Sequence, residues 1–395
     1  MKEFREAFGL GAAELDAAGA HWTAREILQQ PQLWADVERL TAADAPRLKS
    51  FLGPVLAEPE LRIILTGAGT SSFIGECLAP ALSRVLPCPV EAIPTTDLVA
   101  SPRSWLRATT PTLLVSFARS GNSPESVAAL ELGDRCIERC HHLVVTCNAH
   151  GELYQSALRQ ENACPLLLPE ASHDKSFAMT SSFTGMLLAA ARVLGSLPAG
   201  QPRAAALGAL ARQVLPGCAP LLASLTREGF ERVVCLGSNE LKGLAREAAL
   251  KMLELTDGKV VAVADSALGF RHGPKTILNH KTLVVAFISN DPHTRRYDLD
   301  LVRELRRDAV AGPVVALSSA PGEPEHDDDI VLADGMSGAA RASDLELCLP
   351  YALFAQTLAM LRSISLGVRP DNPNAAGMVS RVVRGVTIYP FGESR

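Results

Sequence analysis

Apolar and polar positions change their rhythm near residue 60. Before it the spacing is helical, with no strand-like run; Thr23 with Glu26 three places on reads as a capping box, and Pro31 interrupts the helix it opens. After it, short apolar runs alternate with polar turns and longer amphipathic stretches. Arg62 to Thr66, Thr112 to Phe117, Leu143 to Cys147 and Pro165 to Leu168 read as buried strands. The intervening helices run to about Val85 and about Arg139, and another spans about Met179 to Gly195. Such alternation predicts a parallel sheet with helices on both faces.

The second half repeats the first. Arg62-Ile-Ile-Leu-Thr-Gly67 matches Arg232-Val-Val-Cys-Leu-Gly237, Thr112-Leu-Leu-Val-Ser-Phe117 matches Thr282-Leu-Val-Val-Ala-Phe287, and Val144-Val145 matches Val314-Val315, each at an offset of 170 residues. A constant offset over three strands predicts two copies of one α/β domain. Pro198, Gly200, Pro202, Pro216 and Gly217 predict a linker near residues 200 to 220.

Two turns of the first copy carry candidate chemistry. In Ser116-Phe-Ala-Arg119-Ser120-Gly121-Asn122-Ser123-Pro124-Glu-Ser126, a strand meets a helix start. Ser120, Asn122 and Ser123 are good N-cap residues, Pro124 suits a first turn and Gly121 allows positive φ. Free N–H groups at a helix start, neighbouring hydroxyls and the Arg119 cation together suit a phosphate. Gly67-Ala-Gly69-Thr70-Ser71-Ser72 is a second turn of the same kind. The second copy has Asn290-Asp291-Pro292-His293 in place of Ser120 to Ser123, and Asp291 there would repel a phosphate. That copy instead offers Glu247, Lys251 and Glu254 on one face of a helix from Leu241 to Leu255, and His272 in the loop Gly269 to Lys275. A carboxylate and a histidine beside a phosphate cradle suggest proton transfer on a phosphorylated small molecule.

Composition narrows the field. Hydrophobic residues make up 47% and charged residues 21%, as in a globular protein with ample core. A net charge of −5 without a basic block argues against nucleic acid as a partner. No signal-peptide segment lies in Met1 to Gln30 and no apolar run is long enough for a bilayer, so no membrane partner is expected. Nine scattered cysteines without a disulfide framework point to a reducing cytoplasm. Cys136, Cys140, His141 and His142 cluster, yet no second ligand pair accompanies them; structural thiols, no metal and no cofactor are expected. Asp327-Asp328-Asp329 reads as a solvated turn before the strand Ile330-Val331-Leu332.

These residues carry a resemblance. The loops Gly69 to Ser72 and Arg119 to Ser123 resemble those of sugar isomerase (SIS) domains, which bind phosphosugars. Glu247-Ala-Ala-Leu-Lys251-Met-Leu-Glu254, Phe270-Arg-His272-Gly-Pro and Ala24-Arg-Glu26-Ile-Leu-Gln-Gln-Pro31 resemble the isomerase half of glucosamine-6-phosphate synthase. Phe117 to Ser126, Ser176-Phe-Ala-Met-Thr-Ser-Ser-Phe183 and Arg381-Val-Val-Arg-Gly-Val-Thr-Ile-Tyr-Pro390 are similar to the AgaS family, tagatose-6-phosphate ketose/aldose isomerases that also act as galactosamine-6-phosphate deaminases.

The resemblance covers nearly the whole chain. It implies an α/β fold of two tandem SIS domains, each a flavodoxin-like three-layer sandwich. An N-terminal helical segment would span 1–58, the phosphosugar-binding domain 59–205, the domain with the catalytic Glu and His 215–368, and a tail over the active site 369–395. It implies that Ser71, Ser120 and Ser123 bind the phosphate, that Thr180 and Ser181 lie near the sugar, and that Ser72, Arg119, Asn122, Lys251 and Arg384 also bind substrate. Glu254 would move the proton between C1 and C2. His272 would open the ring, in the synthase from a neighbouring subunit, so the resemblance implies a homodimer or higher with shared active sites. A hydroxyl on C2 would then give isomerisation, and an amine on C2 a ketimine that water hydrolyses to a ketose phosphate and ammonia. A deglycase acting on fructosamine-6-phosphate-type conjugates and a non-catalytic phosphosugar-sensing regulator are the alternatives. Two departures stand out: Lys2 where the synthase has its glutaminase cysteine, and Arg384, which cannot readily form an imine, where the synthase tail has lysine.

Overall fold

The short apolar runs form two five-stranded parallel sheets in this computed structural model, which describes residues 2–197, 203–319, 326, 329–332, 341–383 and 385–392. The chain divides into two units: Leu33–Asp174 with Ser181–Pro202 and Gly377–Arg395, and Met1–Gln32 with Lys175–Thr180 and Arg203–Ala376. In the first, β1 (Arg62–Thr66), β2 (Val90–Ala92), β3 (Thr112–Ala118), β4 (Cys140–Thr146) and β5 (Ala163–Leu167) lie in the order β2-β1-β3-β4-β5. β1 and β3 are buried along their whole length, as strands covered on both faces must be.

In the second unit, β6 (Arg232–Leu236), β7 (Val261–Asp265), β8 (Thr282–Phe287), β9 (Val314–Ser318) and β10 (Ile330–Val331) lie in the order β10-β9-β8-β6-β7. Counted within each unit, both sheets run 2-1-3-4-5. Arg62 pairs with Thr112 as Arg232 pairs with Thr282. The helices Thr70–Val85 and Glu240–Leu255 keep the same spacing, and the residues before them share one backbone shape: φ 56°, ψ −128° at Gly69 and φ 51°, ψ −121° at Asn239. The spacing then slips by two residues. The helices after β3 and β8 are Pro124–Cys136 and Pro292–Asp308, so the counterpart of Asp291 is the helix cap Ser123, not Gly121 as a constant offset implies.

Three local expectations need correction. Residues 204 to 220 are not a linker: helices Ala204–Gly217 and Ala219–Glu228 occupy them, meeting at a 45° bend. Leu207, Leu210, Ala211, Val214 and Leu215 form a buried helical stripe, which outweighs the turn signal of Pro216 and Gly217 in the last turn; Pro198, Gly200 and Pro202 lie outside the described residues. Thr23 is no helix cap, because its helix begins at His21. Its backbone N–H and its Oγ1 donate to the Asp371 carboxylate at 2.8 and 2.7 Å. The helix Asp344–Ser365 is long and apolar enough by length and composition to cross a membrane, although no such run was expected. It is a core helix: nearly all of its apolar stretch is buried, and Ser343 and Glu346 form a capping box at its start.

Five helices occupy Lys2–Leu56, as the N-terminal pattern predicts, and Pro31 takes the second place of Gln30–Ala43, where its missing N–H costs nothing.

Candidate active site

In the β1–β5 unit the strand order reverses between β1 and β3, the point at which open parallel sheets bind ligands. Thr66 pairs with Ser116, so the loops following the two strands leave the same edge side by side. Gly67 is required in the first loop, since a Cβ there would stand 2.6 Å from that of Ser71. This closeness lets the helix Thr70–Val85 start against the strand, with Ser71 and Ser72 buried in its first turn. Ser72 Oγ donates to the Gly69 carbonyl at 2.7 Å.

The second loop turns at Gly121, φ +66°. Ser123 caps the helix Pro124–Cys136, its Oγ accepting from the Ser126 N–H at 3.3 Å. Ser120 Oγ accepts from the Asn122 N–H at 3.3 Å, and Asn122 Oδ1 accepts from the Glu152 N–H at 3.0 Å, so the loop is held in shape by its own polar groups. Hydroxyls and helix-start N–H groups therefore share one edge of the sheet, the arrangement an anion needs.

Arg119 is tied to the C-terminal tail. Its buried guanidinium donates to the Arg381 carbonyl at 2.7 Å, and the Arg381 guanidinium donates to the Asp174 carbonyl. The buried Asp174 carboxylate accepts from the N–H groups of Ser181 and Ser182 at 3.0 and 2.9 Å, capping the helix Ser181–Val193. Burial, then the charges of Arg381 and Arg119, hold the His173 imidazole below its ordinary pKa, so the ring is neutral at pH 7. His173, Asp174 and Arg381 were not singled out in the sequence as site residues. The run Ser176 to Phe183 pointed to the neighbourhood, but nothing local marks Asp174 as the cap.

In the β6–β10 unit the same reversal point is acidic. Asp291 spends its carboxylate on its own helix, accepting from His293 and Thr294 N–H groups at 3.1 and 2.8 Å. Asp344 accepts from Ser289 Oγ at 2.5 Å and the Asn290 N–H at 2.6 Å. Burial pushes the Asp344 carboxyl up to about 6 against those hydrogen bonds, with the Glu240 and Asp298 charges adding to the rise. These carboxylates disfavour an anion there.

The predicted charged face is present on the helix Glu240–Leu255. Lys251 is 1% exposed; its Nζ donates to Glu254 and lies 3.5 Å from Glu247, itself 2% exposed, whereas Glu254 is 26% exposed. One cation thus sits between two carboxylates, of which Glu254 is the one that reaches solvent. His272 is exposed on the loop after the short helix Ala267–Phe270. Buried Phe270 anchors that loop, and Arg271 and Lys275 pair with Glu304 at 2.8 and 2.5 Å, so the residues flanking His272 are fixed. Thr180 is buried, with its carbonyl 3.5 Å from Gln356 Nε2. Arg384, and with it the expected tail cation, lies outside the described residues.

The Cys/His cluster resolves differently from its sequence spacing. His141 pairs with Glu58 at 2.6 Å, and buried His142 with Asp134 at 2.8 Å, while donor atoms of Asp134, Cys140 and His142 lie within 4.8 Å of one another.

Fold and loops together define a SIS-domain protein, and the SIS domain model matches residues 56–194. An Escherichia coli protein named D-galactosamine-6-phosphate deaminase AgaS is 45% identical, over 95% of this chain and 97% of its own. One of the same name from Shewanella sp. (strain ANA-3) is 43% identical, over 97% of this chain and 95% of its own. The crystal structure of tagatose-6-phosphate ketose/aldose isomerase from Escherichia coli is similar with a TM-score of 0.87 and 40% identity, covering 97% of this chain and 99% of that one. The chain belongs to the AgaS family.

Proposed function

We propose that the chain is an enzyme that converts galactosamine-6-phosphate to tagatose-6-phosphate and ammonia, and that the same proton transfer interconverts aldose and ketose phosphates. The observation that carries this reading is the row Glu247, Lys251, Glu254: a buried cation and carboxylate with one further carboxylate open to substrate. The serine loops at β1 and β3 bind the phosphate, through Ser71, Ser72, Ser120, Asn122 and Ser123, with Arg119 supplying positive charge. Thr180 and Ser181 contact the sugar. His272 assists ring opening. Glu254 takes the proton from C2 of the open aldose, leaving an enediol or enolamine whose developing oxyanion the Lys251 ammonium stabilises. Returned to C1, that proton gives the ketose when C2 carries a hydroxyl. When C2 carries an amine it gives a ketimine, and water adds to C2 and expels ammonia.

On this reading residues 59–205 bind the phosphosugar, 215–368 move the proton, and the tail, 369–395 with Arg384, closes over the substrate. His272, standing exposed on a fixed loop, is suited to completing the site of a second copy, which makes the working form a homodimer or higher. Nine free thiols suit a reducing cytoplasm. The common strand order and shared pairing of the two sheets support an internal duplication.

The test is ammonia release from galactosamine-6-phosphate, with glucosamine-6-phosphate in parallel and the ketose identified. Release from the galacto substrate is expected. Ammonia from neither, with tagatose-6-phosphate still interconverted, would leave a plain isomerase. Turnover only of fructosamine-6-phosphate-type conjugates would make it a deglycase, and binding without turnover a regulator.

A further inference from the structure

We infer that Glu26 is a positioning residue: its buried carboxylate fixes the backbone of Lys175 and Ser176 and thereby the segment that leads to Thr180 and Ser181. The inference rests on the reading above that this segment meets the sugar. Glu26 lies inside the helix His21–Leu28 and is 3% exposed. Taking a carboxylate out of water costs several kcal/mol unless charged hydrogen bonds offset it. Four contacts of the Glu26 carboxylate go to one short stretch of chain about 150 residues away. Oε1 accepts from the Lys175 N–H at 2.5 Å and the Ser176 N–H at 3.2 Å; Oε2 lies 3.3 Å from the same Ser176 N–H and accepts from Ser176 Oγ.

That stretch has no helix or strand hydrogen bonding to set its shape, since residues 175–180 lie in neither. Side chains set it instead. Trp22, one turn before Glu26, lies under the Lys175 ammonium at 4.6 Å from the ring centre. Gln30, four residues after Glu26, donates to Gln356 Oε1 at 2.7 Å, and Gln356 Nε2 faces the Thr180 carbonyl at 3.5 Å. Residues 22, 26 and 30 thus grip the segment directly at its start and, through Gln356, at its end. Ser176, Ala178 and Thr180 are buried as a result. Aligning a reacting sugar to within an ångström is worth large factors in rate, so a segment outside helix and strand needs a rigid anchor.

Glu26→Gln tests this with little change in volume, because it removes the charge that strengthens these bonds and sets an NH2 where one of the two accepting oxygens stood. We expect kcat/KM for the sugar phosphate to fall by about 10–100-fold, the scale of such misplacement. Competitive inhibition by inorganic phosphate, which reads the loops alone, should stay within about twofold in the same variant. Ser176→Ala, which removes a single donor, should fold normally and show a smaller loss in the same direction. It answers the question if Glu26→Gln does not fold. Thr180→Ala, assayed in parallel, separates the two claims. Wild-type kinetics in folded Glu26→Gln and in Ser176→Ala, with Thr180→Ala impaired, would overturn the positioning role and leave the sugar-contact reading intact. Wild-type kinetics in all three would overturn both.

Discussion

Replacing Lys251 with methionine removes the ammonium and leaves Glu247 buried without it. The two lie 3.5 Å apart at 1% and 2% exposure, so neither can recover its lost hydration from solvent. Breaking such a pair costs about 3–5 kcal/mol, chiefly the penalty on the charge left behind. Glu254, a quarter exposed, adapts by taking on water and contributes little to that loss. For a unit of this size each kcal/mol moves the midpoint by about 2–4 °C, so Lys251→Met should lower Tm by roughly 6–20 °C. The double variant Glu247→Gln/Lys251→Met removes the stranded charge and should recover most of the loss, an interaction of about 1–3 kcal/mol in a double-mutant cycle. Without the ammonium the buried Glu247 carboxylate takes up a proton more readily than in the wild type. The penalty of the single variant is therefore smaller at pH 5 than at pH 8. Calorimetry at both pH values measures all of this. A single variant within about 2 °C of wild type, or a double variant no more stable than the single, would refute the argument.

Asp344 gives a pH prediction of opposite use. Its folded-state carboxyl, raised to about 6 from 3.8 by burial, contributes stability that is complete below pH 3.8 and lost as pH rises through 6. Relative to wild type, Asp344→Asn should therefore gain up to about 3 kcal/mol between pH 4 and pH 7, read from urea midpoints. Ser123→Ala removes a helix cap and a phosphate donor; it should cost about 1 kcal/mol and weaken inhibition by inorganic phosphate, and unchanged inhibition would remove Ser123 from the phosphate site. Asn239 shows that asparagine accepts the backbone shape of Gly69, so Gly69→Asn should fold where the β-branched Gly69→Val loses about 1–3 kcal/mol in thermal melts.

The sheets were legible because buried parallel strands read as short continuous apolar runs, and the offset of 170 survives in the pairing of β1 with β3 and β6 with β8. The serine loops and the row Glu247, Lys251, Glu254 were legible for the same local reason: each lies within one turn or one helix face. What hid from the sequence is long-range. Glu26 looks like a capping partner of Thr23, yet Thr23 is engaged by Asp371 and Glu26 by Lys175 and Ser176. No spacing rule relates residues that far apart. Asp291 sat in the wrong register because the stretch from the start of β8 to the helix after it is two residues shorter than its counterpart from β3. Residues 204 to 220 read as linker because proline and glycine were weighed above a stripe at positions 207, 210, 211, 214 and 215 that only the packed unit makes decisive. Arg119 was legible as a cation beside the phosphate loop, but its hold on the tail carbonyl of Arg381 was not.

The central claim is that Glu254 moves a proton on a bound sugar phosphate. The most direct measurement is solvent deuterium entering C1 of tagatose-6-phosphate in D2O, followed by NMR for the wild type and Glu254→Gln, with binding of the sugar phosphate measured on both. Exchange by the wild type, and loss of exchange in Glu254→Gln with binding retained, is the expected result. Exchange at the wild-type rate in Glu254→Gln would contradict the account and move the base to another residue.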